Sequence, residues 1–107
     1  MFLRTCEHHQ SVYNEIMDKK IVKRAERIFK GAGKDTRIRI LDFIAKANET
    51  SVWIISQELS LDFRLASHHA SILEKAGLIS KHYQGAKVYH DLTPYGEKVL
   101  DFIKNLK

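Results

Sequence analysis

Cysteine, proline and tryptophan each occur once in the 107 residues, as Cys6, Pro94 and Trp53. A lone cysteine excludes an internal disulfide framework and suits a reducing compartment. No stretch is apolar for long enough to span a bilayer. The opening "MFLRTCEHHQ" carries charge where a secretory leader needs an apolar run, so a cytoplasmic protein with no membrane partner is expected. The chain also lacks a glycine-rich phosphate loop, paired carboxylates and any nucleophile–base spacing that a known chemistry demands, so no enzyme and no cofactor are expected. Repeats and low-complexity segments are missing too.

What is present describes one ordinary globular domain. Apolar residues make up 44% and charged residues 29%, enough for a single core without staples. The formal net charge is +5, which favours a polyanionic partner. That excess lies at the ends: residues 1–34 hold 8 basic and 4 acidic side chains, residues 35–78 hold 5 and 6, and residues 79–107 hold 5 and 3.

Apolar spacing sets the elements. Met17, Ile21, Ala25, Ile28 and Ala32 recur at helical intervals, with Lys19, Lys20, Lys23, Arg24 and Arg27 between them. This helix either runs from Val12 or starts afresh at Asp18 as its cap. Gly31 and Gly33 are expected to end it in left-handed conformations. Asp35 reads as the N-cap of "TRIRILDFIAKA", whose buried face is Ile40, Leu41 and Ile44. Ser51 caps a third helix with Val52, Ile55 and Leu59 on one face. After Ser60-Leu61, Asp62 caps a fourth, Phe63 to Ala76, with Ala66, His69/Ala70 and Leu73 inward and Gly77 as its stop. "LISKHYQGAKVYHDL" carries two β-prone arms around Gln84-Gly85-Ala86-Lys87. Thr93-Pro94 opens the last helix, whose apolar residues are Val99, Leu100, Ile103 and Leu106.

Helix pair followed by hairpin is the outline of a winged helix-turn-helix, so the fold class is mainly α with a small β-hairpin (α+β), about five helices plus a two-stranded wing. Residues 1–17 read as an N-terminal extension, helical in part. Residues 18–107 read as the DNA-binding domain, with its terminal helices for dimerisation.

Adjacent His68 and His69 cannot share a metal ion on a helix, because neighbours point about 100° apart. His68 falls on the outward stripe with Arg64, Ser71 and Lys75, and His69 turns toward the body. A solvated face would show the same stripe; its place in the second helix of the motif favours contact with base edges or phosphates. Lys81, His82 and Lys87 flank the hairpin tip, where basic side chains suit phosphates or the minor groove. One of Arg37 and Arg39 is expected to clamp a phosphate, and Arg37 is assigned to that role. Cys6, Glu7, His8 and His9 form the one local cluster of metal-ligand types, although no companion cysteine supports it.

The stretch "DTRIRILDFI…SVWIISQELSLDFRLASHHASILEKAGLISKHYQGAKVYHDLT" resembles the ArsR/SmtB-type winged-helix repressors over about residues 21–100. "YHDLTPYG" is also similar to wings of the MarR and PadR regulators. The resemblance implies a homodimeric repressor of double-stranded DNA. It implies that residues 63–76 enter the major groove, that residues 80–90 form the wing, and that Arg64, Ser67 and His68 contact DNA. Metal-sensing members carry Cys-Val-Cys where this chain has Ser51-Val52-Trp53, and "TPYGEKVLDFIKNLK" has no histidine ligand, so no family-type metal site is expected.

Ile21, Ala25, Ile28, Val99 and Ile103 are expected at the dimer interface. Trp53 and Ile54 should point away from the core and join that interface, covered by Phe2, Leu3, Val12, Tyr13 and Ile16 of the extension. Two rival functions follow from the same residues. One is a winged-helix protein-interaction module without DNA binding, which Phe63 and Leu65 permit. The other is a metal- or thiol-responsive sensor using Cys6, His8 and His9.

Overall fold

The computed structural model describes residues 17–47 and 49–106. Its elements are α1 (Lys19–Ala32), α2 (Asp35–Lys46), α3 (Val52–Glu58), α4 (Phe63–Lys75), β1 (Ile79–Gln84), β2 (Lys87–Leu92) and α5 (Pro94–Lys104). This is a winged helix-turn-helix of five helices and one two-stranded antiparallel sheet among the described residues.

Side-chain caps start four of the helices. The Asp18 carboxylate accepts from Lys20 N at 3.1 Å, so α1 begins afresh there. Ser51 Oγ accepts from Ile54 N at 3.3 Å, Asp62 from Arg64 N at 3.0 Å, and Thr93 Oγ1 from Gly96 N at 3.1 Å. Each satisfies one donor that a helix start leaves free, which stabilises by about 1 kcal/mol. Asp35 departs from expectation. It is the first helical residue of α2, with Lys34 at the cap position and no side-chain cap bond. Its carboxylate accepts from Thr36 N at 2.8 Å instead.

The two helices of the central motif end alike. Leu61 N donates to Ser56 O at 2.9 Å and Leu78 N to Leu73 O at 3.0 Å, with Ser60 N to Gln57 O and Gly77 N to Glu74 O inside them. Both are Schellman ends, which require a left-handed residue: Gly77 at φ +82 and, without glycine's freedom, Ser60 at φ +56.

α1 ends in this stretch as expected, with Gly33 as its C-cap, but not through a left-handed glycine. Neither Gly31 nor Gly33 has positive φ, and the helix continues through Ala32. Gly31 serves contact instead: a Cβ there would overlap the Cβ of Ala76, so its absence lets α1 lie against the end of α4.

The core gathers one stripe from each central element. Ile40, Leu41, Ile55, Leu73, Leu78 and Ile79 are almost entirely buried, joined by Ile44, Ala66, Ala70 and Leu100. Burying each large aliphatic side chain contributes about 1.5–3 kcal/mol.

The wing spans 79–92, inside the two β-prone arms and slightly beyond the 80–90 that the resemblance implies, in the register Ile79↔Leu92 to Gln84↔Lys87. That leaves Gly85-Ala86 as a two-residue turn. Positive φ at Gly85 (+64) but not at Ala86 is the type II′ pattern. At its base Thr93 N donates to Leu78 O at 3.1 Å and Thr93 Oγ1 to Gly77 O at 2.6 Å. Gly96 packs so tightly on the Leu78 carbonyl that a Cβ could not fit. A further bridge, His90 N to Thr50 O at 2.8 Å, fastens β2 to the turn before α3.

Candidate nucleic-acid interface

Helix α4 is seated by its inner stripe. Ala66, His69, Ala70 and Leu73 are buried, so the register of its outer face is fixed by packing. On that face Arg64, Ser67, His68 and Lys75 are exposed and Ser71 is half-buried. A row of one guanidinium, one imidazole, two hydroxyls and one ammonium offers donors and acceptors at the spacing of successive helical turns.

The two histidines face different ways. His69 is 5% exposed, and its Nδ1 lies 3.1 Å from Arg37 Nη1. Guanidinium only donates, so Nδ1 accepts and the imidazole is neutral with its proton on Nε2. Burial pushes its pKa down, and the nearby side chains of Arg37, His68 and Lys34 push the same way. His68 stays in solvent.

Arg37 is half-buried and engaged inside the protein. Its Nε donates to Gly31 O, Nη2 approaches Lys30 O at 3.4 Å and Nη1 meets His69. It thus satisfies carbonyls at the end of α1 and holds α4 at the same time. Arg39 is exposed and pairs with Asp35 at 3.6 Å.

In the wing, Lys87 is exposed beside the turn. Lys81 reaches Glu74 of α4 at 3.6 Å, and His82 Nδ1 lies 2.9 Å from Asp91. Between α3, α4 and the wing lies a groove of about 450 Å³, lined in part by Trp53, Phe63, Ser67, Ser71, Lys81 and His90. His90 is 4% exposed and its pKa is pushed down, chiefly by burial.

The remaining outward apolar groups lie mainly on the terminal helices. On α1, Ile21, Val22 and Phe29 are exposed and Ala25 and Ile28 half-buried; on α5, Phe102 is exposed and Val99 and Ile103 half-buried. Val22, Phe29 and Phe102 were not singled out from sequence, because their stripes lie beside the one that packs on the core. Trp53 is 62% exposed, as expected, whereas Ile54 is half-buried. The side chains expected to cover Trp53, and Cys6, Glu7, His8 and His9, lie outside the described residues. Among the described residues no three His, Cys, Asp or Glu side chains cluster as metal ligands, and no helix is long and apolar enough to cross a membrane.

Residues 34–81 match the model of the bacterial regulatory proteins of the arsR family. The chain is 32% identical over 82 residues to an uncharacterised HTH-type transcriptional regulator of Methanocaldococcus jannaschii, covering 77% of this chain and 90% of that one. It is 32% identical over 65 residues to the transcriptional repressor SdpR of Bacillus subtilis, covering 61% and 71%. Among solved structures it is similar to a homodimeric winged helix-turn-helix DNA-binding domain from Mycobacterium bovis, with a TM-score of 0.73 at 21% identity over 83% of this chain and 84% of that one.

Proposed function

The chain belongs to the arsR family of bacterial regulatory proteins, and on that premise we propose that it is a homodimeric repressor that reads duplex DNA with α4. The observation that carries this reading is the two-sided build of α4. Four buried side chains fix its orientation, and Arg64, Ser67, His68, Ser71 and Lys75 line the face turned away from the core. Arg64, in the first turn, forks onto guanine in this reading, since recognition helices present their N-terminal residues to base edges. His68 and Ser67 reach bases or phosphates one turn on. Lys87 and Lys81 of the wing neutralise neighbouring phosphates, and Arg37 acts from within by holding α4 in place.

Pairing uses the apolar faces of α1 and α5, with Ile21, Ala25, Ile28, Val99 and Ile103 joined by Phe29 and Phe102. Exposed apolar groups of this size at both chain ends are what a second copy would cover. A dimer puts two reading helices on half-sites about one helical turn apart, roughly 34–36 Å. Repression follows by occupancy, the dimer blocking polymerase access. Ser51-Val52-Trp53 carries no thiolate, which supports repression without the family's metal switch at that position.

Selection of bound sequences from random duplexes at fixed salt tests this reading. A two-half-site consensus is expected, with Arg64→Ala losing preference at one position of each half. If no sequence is enriched, and the groove beside Trp53 and Phe63 instead captures apolar peptides, the interaction-module reading takes its place.

A further inference from the structure

Helix α1 divides its surface into two opposed arcs. At about 100° per residue, Ile21, Ala25, Ile28 and Phe29 fall on one side, and Lys19, Lys20, Lys23, Arg24, Arg27 and Lys30 on the other. Glu26 is the one acidic side chain in the helix. It pairs with Lys23 at 3.4 Å and Lys30 at 3.3 Å. Its carboxyl is held below the usual range by Lys30 first and Lys23 next. Among the described residues, Lys19, Lys20, Arg24 and Arg27 have no carboxylate within ion-pair distance.

Those cations continue into the reading helix. A concavity of about 330 Å³ is lined by Lys19, Lys20, Lys23, Arg24 and Arg27. Arg27 also lines a second, of about 250 Å³, together with Lys30 of α1 and Lys75 of α4. The close approach at Gly31 and Ala76 brings the two helices together at that point. A basic surface therefore runs from the start of α1, through Arg27, to the end of the face that carries Arg64 and His68.

We infer that the basic arc of α1 is a second DNA surface, gripping backbone phosphates that flank the bases read by α4. The inference rests on α4 lying on duplex DNA, as proposed above. Lys19 to Arg27 spans about 12 Å of helix, a length that covers three to four base pairs. Duplex DNA carries about one charge per 1.7 Å, so these four cations, without a carboxylate partner among the described residues, find partners along that length. The dimer proposed above disfavours the rival occupant, a membrane surface, by covering the apolar arc. An interfacial helix needs its apolar and basic arcs on one bilayer together, whereas here the apolar arc is taken up by the second copy. Contacts of this kind carry no base preference, so they add affinity and salt dependence without changing the consensus.

The test compares two duplexes: the selected core trimmed to its two half-sites, and the same core with ten random base pairs added at each end. The variant Lys19→Gln/Lys20→Gln/Arg24→Gln/Arg27→Gln keeps good helix formers, and circular dichroism and sedimentation check its fold and dimer. The wild type is expected to bind the flanked duplex about tenfold more tightly, and the variant to bind both alike. The variant's salt slope on the flanked duplex should fall by about 1.8 or more, one phosphate contact per subunit. Equal losses on both duplexes, an unchanged flank preference, or binding to phosphatidylglycerol vesicles with no effect of flanks overturns the inference. Absence of any consensus in the wild type, by contrast, is a failure of the reading helix itself.

Discussion

Replacing Arg37 by methionine removes charge while keeping much of the side chain's length, and so isolates what its guanidinium does. In the structure that group donates to Gly31 O and to His69 Nδ1, with a longer contact to Lys30 O. A hydrogen bond from a charged donor contributes about 1.5–3 kcal/mol, and an acceptor left unsatisfied in a buried ring costs about 1–3 kcal/mol. Arg37 is only half-buried and water can reach part of the site, so the lower halves of these ranges apply. The expected loss is about 2–4 kcal/mol, a large share of the about 5–15 kcal/mol that holds a domain of this size. Thermal melts at one fixed protomer concentration should show a fall of at least about 8 °C. Arg37→Lys, which keeps the charge but not the fork, should recover only part of it. The opposite pattern refutes the reasoning: an unchanged melt together with a lower salt slope on duplex DNA would make Arg37 a phosphate clamp, as the sequence suggested.

Four further outcomes are expected. Gly31→Ala gains helix propensity but collides with Ala76, so a net loss of about 1–2 kcal/mol is expected, largely restored by adding Ala76→Gly; urea melts of the two single variants and the double decide it. Ser60→Gly relieves a left-handed serine and should stabilise by about 0.5–1 kcal/mol, seen as a higher melting temperature; a lower one would deny the strain. His69 and His90 both have pKa values pushed below their unfolded value of about 6.5, so the unfolded chain binds more protons in mild acid. Stability should therefore be level above about pH 7.5 and decline as pH falls through about 6.5, by up to about 1.4 kcal/mol per pH unit for each histidine. Urea midpoints across that range should show it, with His90→Gln flattening the decline; stability that rises in acid would contradict the burial of both rings. Lys87→Ala should weaken all duplexes alike and lower the salt slope by about 1.8, one phosphate contact per subunit, whereas Arg64→Ala should cost about 1–3 kcal/mol at one base position of each half-site.

Local signals predicted most of this architecture. Ser51, Asp62 and Thr93 cap the helices that follow them because each carries an oxygen that reaches back to a free N–H, and that geometry is written in a few adjacent residues. The inner stripe of α4 was legible for the same reason: Ala66, Ala70 and Leu73 stand at helical intervals. Arg37 was not. Its sequence neighbours offer nothing to bind, and its partners on α1 and α4 come near only when three helices have packed. Gly31 misled because glycine near a helix end usually signals a left-handed turn, whereas here its missing Cβ serves a contact with Ala76, 45 positions away in the chain. The Thr50–His90 bridge has no local signature either, since one pair of backbone groups leaves no periodicity. For the interface, the outward row on α4 was visible, but the exposed Phe29 and Phe102 stand off the stripes by which their helices are read.

The bonds that gather Gly77, Leu78 and Thr93 at the foot of the hairpin make its entry and exit a single closed doorway. Beyond that doorway, the Thr50–His90 bridge, the Lys81–Glu74 pair and the wall that the wing lends to the groove, the hairpin tip can change without any helix being informed of it. Lengthening a loop at Gly85-Ala86 adds closure entropy only slowly, about 0.6 kcal/mol for each doubling of the loop. The tip of the wing is thus an interchangeable cartridge, open to descent in altered forms or to grafting from another regulator, while the helical body keeps its shape and its stability.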